Sequence, residues 1–390
     1  MLTALSSAKP AHVPCCFMLF QALRKRCAND FEFFDRQLAL GIDVRVELPD
    51  LPLRFAADVS VETWKEQSAG DPVPRLRKQY RTLSGTLETI VKQTEDWPHS
   101  DQIPLFDDFL APRTTKFLIS TPDDLAALRH LLIPPSDEDI AAFRGIATEY
   151  KRYARAKGLL LSGGWRDWRS NPVSIVGNQG GAMVGIDALM WLCGATAPLY
   201  WAFDQPKFLE ELIALIAARD EQQMQVMLDV GAELIVERAW YSGTEFWSPR
   251  LYRQFIAPIL RRKVALAHQA GAKFGYIMTS GMMPLLDDLL DLGIDAIIGV
   301  DPVQGKATNL EELSRRASAR MCLWGGVSAP MSVEHATMSE ISRAVENAIT
   351  TCGVQGGFIL SPVDNILDAS QETWQNVLEF VRVWQDLREV

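Results

Sequence analysis

Polar residues with chemical potential recur just after short apolar runs. Asp50 follows residues 42–48, Gln179 follows 172–177, and Glu237 and Glu245 lie at and beyond the end of 233–239. Thr279 and Ser280 follow 274–278, a run that contains Tyr276, and Asp301 follows 296–300. Trp324 and Ser328 lie at and beyond the end of the run 321–324, and Asp364 and Asn365 come after 356–360. Carboxylates gathered on one rim repel one another and raise at least one pKa unless a cation or metal compensates, which suits proton transfer or metal binding. The competing reading is that several of these acids only cap helices. An aromatic stretch, AWYSGTEFWSPRLYRQFIAP, offers Trp240, Tyr241, Phe246, Trp247 and Tyr252 either as the wall of a pocket or as loop packing. WRDWRS adds Arg166 and Arg169, whose forked guanidiniums match carboxylates.

Other chemistries lack their residues. The five histidines, His12, His99, His130, His268 and His335, form no ligand-spaced pair with each other or with a cysteine, which argues against His/Cys zinc and leaves a carboxylate-rich metal site open. No GxSxG elbow supports a serine nucleophile, and no phosphate loop is present.

Rim residues need elements to hold them. Residues 271–302 run apolar stretch, amphipathic helix, Gly293, apolar stretch, which is a right-handed βαβ unit. LGIDVRVELPD repeats the grammar of LGIDAIIGVDP. Counting from residues 13–20 gives eight strand-like runs with helices between most of them, so the expected fold is α/β, a (β/α)8 TIM barrel, with chemistry at the carboxyl ends of its strands. A doubly wound sheet is disfavoured because no glycine-rich fingerprint follows the first run. Residues 1–390 are read as one domain, with 51–170 an excursion between strands two and three that carries a helix over 75–94.

Composition narrows the partners. A chain 48% hydrophobic and 23% charged can bury a large core, and a net charge of −10 argues against nucleic acid. No apolar run spans a bilayer, no secretory signal opens the chain, and six unpatterned cysteines suit the reducing cytoplasm.

The order and spacing of several motifs resemble the uroporphyrinogen decarboxylase superfamily over nearly the whole chain. They are VPCCFMLFQALR, LALGIDVRVELPD, SPRLYRQFIAPILRRKVALAHQAGAK, the strand ending TSG, LLDLGIDAIIGVDP, LWGGVSAP and GGFILSPVDNI followed by QETWQNV. The resemblance implies a single (β/α)8 barrel and two chemistries. For tetrapyrrole decarboxylation, Asp50 matches the family's Asp after strand two, and Arg24 is one of its paired arginines. Phe20 stands at the other arginine position, Leu23 replaces the glycine, and Val363 or Asp364 stands where the family has a His. For methyl transfer to or from a corrinoid, the zinc-binding His-x-Cys reads Met278-Thr279-Ser280, and the later Cys reads Asp364.

These departures point to a divergent member near the corrinoid-dependent methyltransferases. Such an enzyme would demethylate a small substrate, an aromatic ether or a methylamine, and pass the methyl group to a corrinoid or corrinoid protein. Asp50, Glu237 and Glu245 are the expected acids. Arg24, Trp240, Tyr241, Trp247, Tyr276, Ser280, Asp301, Trp324 and Asp364 are the expected substrate contacts. A cofactor-independent decarboxylase of a smaller carboxylic acid, resting on Asp50 and Arg24, is the alternative. A non-catalytic binding barrel is a third reading. The superfamily also implies a homodimer.

Overall fold

The structure is a computed structural model and describes residues 1–67, 70, 72–166, 183–305 and 307–389. It contains β1 (Arg45–Glu47), β2 (Ser60–Glu66), β3 (Arg75–Thr82), β4 (Gly85–Lys92), β5 (Thr114–Lys116), β6 (Leu160–Gly164), β7 (Leu234–Arg238), β8 (Lys273–Ile277), β9 (Ala296–Val300), β10 (Cys322–Ser328) and β11 (Phe358–Val363). Contacts divide the chain into two units. One is Met1–Asp50, Ala142–Val173 and Met224–Val390; the other is Leu51–Ala141 and Ser174–Gln223. No described helix is long and apolar enough to cross a membrane.

The first unit is built on a seven-stranded parallel sheet ordered β1-β6-β7-β8-β9-β10-β11. Its strands are buried almost throughout, which is why they read as apolar runs and not as alternation. Helices fall between them, each begun by local chemistry. Asn29 accepts the Glu32 N–H at the start of the Asp30–Ala39 helix, and Thr337 with Glu340 forms a capping box before Met338–Ala348. Residues 13–20 make no continuous strand. Cys15 and Leu19 form single bridges to Leu360 and Asn365. Pro14 has no N–H to give a ladder, and the Met18 and Gln21 N–H groups go to the side chains of Ser361 and Asn365. On its other side Cys15 exchanges hydrogen bonds with Asp43, just before β1.

The sheet position beside β1 belongs to β6, upstream of the expected run 172–177, which lies outside the described residues. Gly164 ends β6 at φ +97°, and a Cβ there would stand 2.2 Å from the Val236 carbonyl oxygen. Only glycine lets the two backbones approach that closely.

The second unit carries a four-stranded antiparallel sheet, β2-β3-β4-β5. This corrects the helix expected over 75–94. Residues 75–92 form a β-hairpin turning at Leu83 and Ser84, because Leu76, Lys78 and Tyr80 bury at a period of two. Lys78 is the unusual member of that buried row. Its Nζ donates to the Ile103 carbonyl at 2.6 Å and lies 5.2 Å from the Tyr80 ring centre, and no carboxylate pairs with it among the described residues. Burial lowers its pKa to about 8.

That lysine makes stability depend on pH. The unfolded amine titrates near ~10.4, so the folded state pays to keep the charge at any pH below about 8 and is relieved as pH rises between the two values. The charge costs about 3 kcal/mol and the hydrogen bond returns about 1. Lys78→Met is therefore expected to stabilise the protein by about 2 kcal/mol at pH 7 in urea unfolding, with the gain gone by about pH 10. An unchanged midpoint at pH 7 would refute this account.

Candidate active site

Register sorts the strand residues into two faces, since partners in a parallel ladder point the same way and neighbours along a strand point oppositely. One row runs Glu237, Tyr276, Ile297, Leu323, Phe358. The next row runs Arg238, Ile277, Ile298, Trp324, Ile359. The first row faces helices: Lys263, on the Ala257–Gln269 helix, donates to Glu237 Oε2 at 2.6 Å with both side chains fully buried. The Tyr276 hydroxyl, with Tyr252 and Ser242 beside it, adjoins the same carboxylate, and burial, then Tyr252 and Glu237, hold the Tyr276 phenol well above its usual pKa. The second row faces the other way, where the Trp324 indole donates to the Cys16 carbonyl at 2.9 Å.

The largest polar group lies at the ends of β1 and β6. Asp30 accepts from Arg24 at 2.6 Å, from Arg166 at 2.9 Å and from the Tyr150 hydroxyl at 2.7 Å, all of them buried or nearly so. Burial alone would raise the Asp30 pKa, but Arg166, Tyr150 and Arg24 more than offset it and hold the carboxylate below its usual range. Burial likewise opposes charge on Arg166, and Asp30, then Asp50 and Glu47, outweigh it. Arg45 pairs with Glu47 and lies 5.8 Å over the Trp324 ring. Three arginines thus meet three carboxylates. Arg45 Nη1 and Arg166 Nε are buried without a partner among the described residues. A cavity of about 30 Å³, room for about one water, is lined by Arg24, Arg45 and Glu47 together with apolar residues such as Phe17, Phe20 and Phe34.

Asp301, at the end of β9, is fully buried. Its Oδ1 accepts the N–H groups of Val303 and Gln304 at 2.7 and 2.9 Å, while Oδ2 has no partner among the described residues. Gln304 reaches Ser328 at the end of β10 at 3.5 Å. Asp364, after β11, is half-buried and takes φ +70°, a left-handed conformation that costs a non-glycine residue free energy and recurs at functional sites.

The aromatic loop divides its labour. Trp247 is buried and donates to the Tyr241 carbonyl at 3.1 Å, so it packs the loop. Trp240 is half-buried, edge-on to Trp165 at 5.0 Å, and both Trp240 and Tyr241 lie against the Arg238 guanidinium at 4.6 and 5.1 Å. Glu245 is exposed and sits against Gly281, whose Cβ would meet its Oε2 at 2.2 Å. Thr244 donates twice to the Gly281 carbonyl, joining the loops after β7 and β8 beside half-buried Ser280.

Asp50, Glu237 and Glu245 therefore have three different sets of neighbours: the arginine cluster, the Lys263 pair and an exposed loop. Arg24 and Asp50 share the arginine cluster, while Gln179 and Arg169 lie outside the described residues. Sequence reasoning passed over Asp30, Arg45, Glu47, Arg238 and Lys263. Arg45 and Glu47 stand two apart inside an apolar run, which places both on one face of a strand, and that signal was readable. Among the described residues no three His, Cys, Asp or Glu side chains gather as a metal requires.

A family model described as Uroporphyrinogen decarboxylase (URO-D) matches residues 173–384. Among solved structures, a methyltransferase from Methanosarcina mazei superposes with a TM-score of 0.58 at 16% identity, covering 99% of this chain and 97% of that one. A B12-independent methionine synthase from Shewanella sp. W3-18-1 overlaps 63% of this chain and 65% of its own, at 9% identity and a TM-score of 0.42. The first likeness shows the fold, and the second is too loose to carry an argument. No curated protein matches.

The Glu237–Lys263 pair yields a test. Glu237→Gln removes the carboxylate charge beside the buried Lys263 ammonium and is expected to cost about 3–5 kcal/mol in denaturant unfolding. The double variant Glu237→Met, Lys263→Met removes both charges at similar volume and should recover most of that loss. Equal losses in the single and double variants would mean that the pair does not set local stability.

Proposed function

Because the chain belongs to the uroporphyrinogen decarboxylase family, we propose that it is an enzyme that moves a methyl group between a small substrate and a corrinoid. The seven-stranded sheet and the bridged 13–20 segment are read as the family's (β/α)8 ring, with that segment as the eighth stave. The observation that carries the reading is the charge balance at the strand ends. Among the described residues, Arg24, Arg45 and Arg166 already face Asp30, Glu47 and Asp50, an arrangement less suited to a substrate bearing many carboxylates. A small neutral or cationic substrate suits such a rim better. The corrinoid is taken as a co-substrate presented from outside.

Within this reading the chain's own residues bind and move protons. Asp301 Oδ2 accepts a hydrogen bond from a substrate N–H or O–H. Asp50 is assigned to protonate a leaving oxygen or nitrogen, and Glu245 is the second candidate. Glu237, held by Lys263, positions the loop that carries Trp240 and Tyr241. Cofactor-independent decarboxylation is the second reading. It is favoured by the unpartnered Arg45 Nη1, which can take a single carboxylate in the cluster that holds Arg24 and Asp50.

Cob(I)alamin, supplied anaerobically with methoxylated aromatics or methylamines, should become methylcobalamin only when the protein is present, followed by absorbance. Asp301→Asn should lower kcat/KM by about 10–100-fold, the worth of one charge-assisted hydrogen bond. Failure with every methyl donor, repeated with corrinoid proteins present, would favour the decarboxylase. Asp50→Asn and Arg24→Met should then each abolish release of carbon dioxide from the carboxylic acid being turned over.

A further inference from the structure

A second constellation lies wholly within the antiparallel unit. Ser84, on the β3–β4 turn, places Oγ 2.9 Å from His130 Nε2, and His130 Nδ1 lies 3.0 Å from Asp58 Oδ1. The other Asp58 oxygen accepts the Leu83 N–H at 2.9 Å, which fixes the carboxylate against the same turn. These contacts hold the Asp58 carboxyl below its usual pKa, the Leu83 N–H contributing most and His130 next. An ionised carboxylate only accepts, so Nδ1 of His130 carries a proton, and in the neutral ring Nε2 accepts from the Ser84 hydroxyl. Base, orienting acid and hydroxyl then stand in the order that activates a serine. Ser84 is exposed on a tight turn, and Leu83 beside it is 87% exposed, an apolar contact for an incoming chain.

We infer that Ser84 is a nucleophile for activated acyl groups, with His130 as its base and Asp58 as the group that orients the base. Ser84 Oγ bonds to the acyl carbon while its proton passes to His130 Nε2. The bond to the leaving oxygen breaks, and that oxygen takes the proton from His130. Water then attacks the Ser84 ester by the same route, releasing the carboxylic acid and restoring the hydroxyl.

The hydrogen bonds also limit the reaction. The Ser84 N–H is taken by Thr82 Oγ1 and the Leu83 N–H by Asp58, so neither serves a developing oxyanion. General-base help alone is worth about 10²–10⁴-fold. The substrates must therefore supply a good leaving group, as aryl esters do.

The bland alternative is that the same three side chains only latch the turn. A fluorophosphonate probe separates the two, because Ser84 Oγ displaces fluoride at phosphorus and the adduct is read by intact mass and peptide mapping. The expected result is one adduct on Ser84, none in Ser84→Ala, and labelling at least about 100-fold slower in His130→Gln with an unchanged circular dichroism spectrum. p-Nitrophenyl acetate should give a burst of p-nitrophenolate that Ser84→Ala removes. Labelling of the parent protein no faster than of Ser84→Ala, or a rate that His130→Gln leaves unchanged, would overturn the inference.

Discussion

Asp30 is the residue on which the parallel unit's polar architecture turns. One carboxylate takes three donors from three parts of the chain: Arg24 after the first segment, Tyr150 on the Asp137–Lys157 helix, and Arg166 past the end of β6. Desolvating two guanidiniums and a carboxylate costs several kcal/mol per ion, so such a group persists only when each charge meets its partner in good geometry. The arrangement is all-or-nothing. Without Asp30 the two arginines would face each other's field, with Glu47 and Asp50 the remaining described carboxylates that act on Arg166. The mouth of β1 and β6 is therefore defined by electrostatic neutrality as much as by apolar packing.

This neutrality explains the economy of the candidate site. Most of its polar atoms are already committed to one another, and among the described residues Asp301 Oδ2, Arg45 Nη1 and Arg166 Nε are buried without a hydrogen-bond partner. A pocket of that kind recognises a ligand by shape and by one or two placed contacts. Trp324 links the two halves of the arrangement, since its indole N–H holds the first segment and its ring lies beneath Arg45.

Much of this was legible in the sequence, and the reasons differ by element. β9 was readable to the residue because five apolar positions end in an acid. The hairpin of β3 and β4 was misread because Arg, Lys, Gln and Glu fill its alternate positions, and a buried lysine hides the period of two. Side-chain direction was harder. Glu237 and Arg238 adjoin in sequence and both lie at a strand end, yet they serve opposite faces, and only the register with Tyr276 and Ile277 tells which faces the helices. Asp30 could be read only as a helix-start acid, since its partners stand 6, 120 and 136 residues away. Long-range pairing of charges leaves no local periodicity to find.

The way residues 13–20 join β11 has a consequence for the order of assembly. Met18 is bound to Ser361 and Gln21 to Asn365, groups 343 and 344 residues apart in the chain. Contacts of such separation are the slowest to form, because the loop they close is nearly the whole polypeptide. A ribosome must therefore deliver β11 before residues 13–20 find their partners. Until then Phe17 and Phe20, which in the finished protein pack on Phe380 and Trp374, stay without their cover. Residues 13–20 therefore stay partly uncovered until β11 and the helix Gln371–Leu387 have been made.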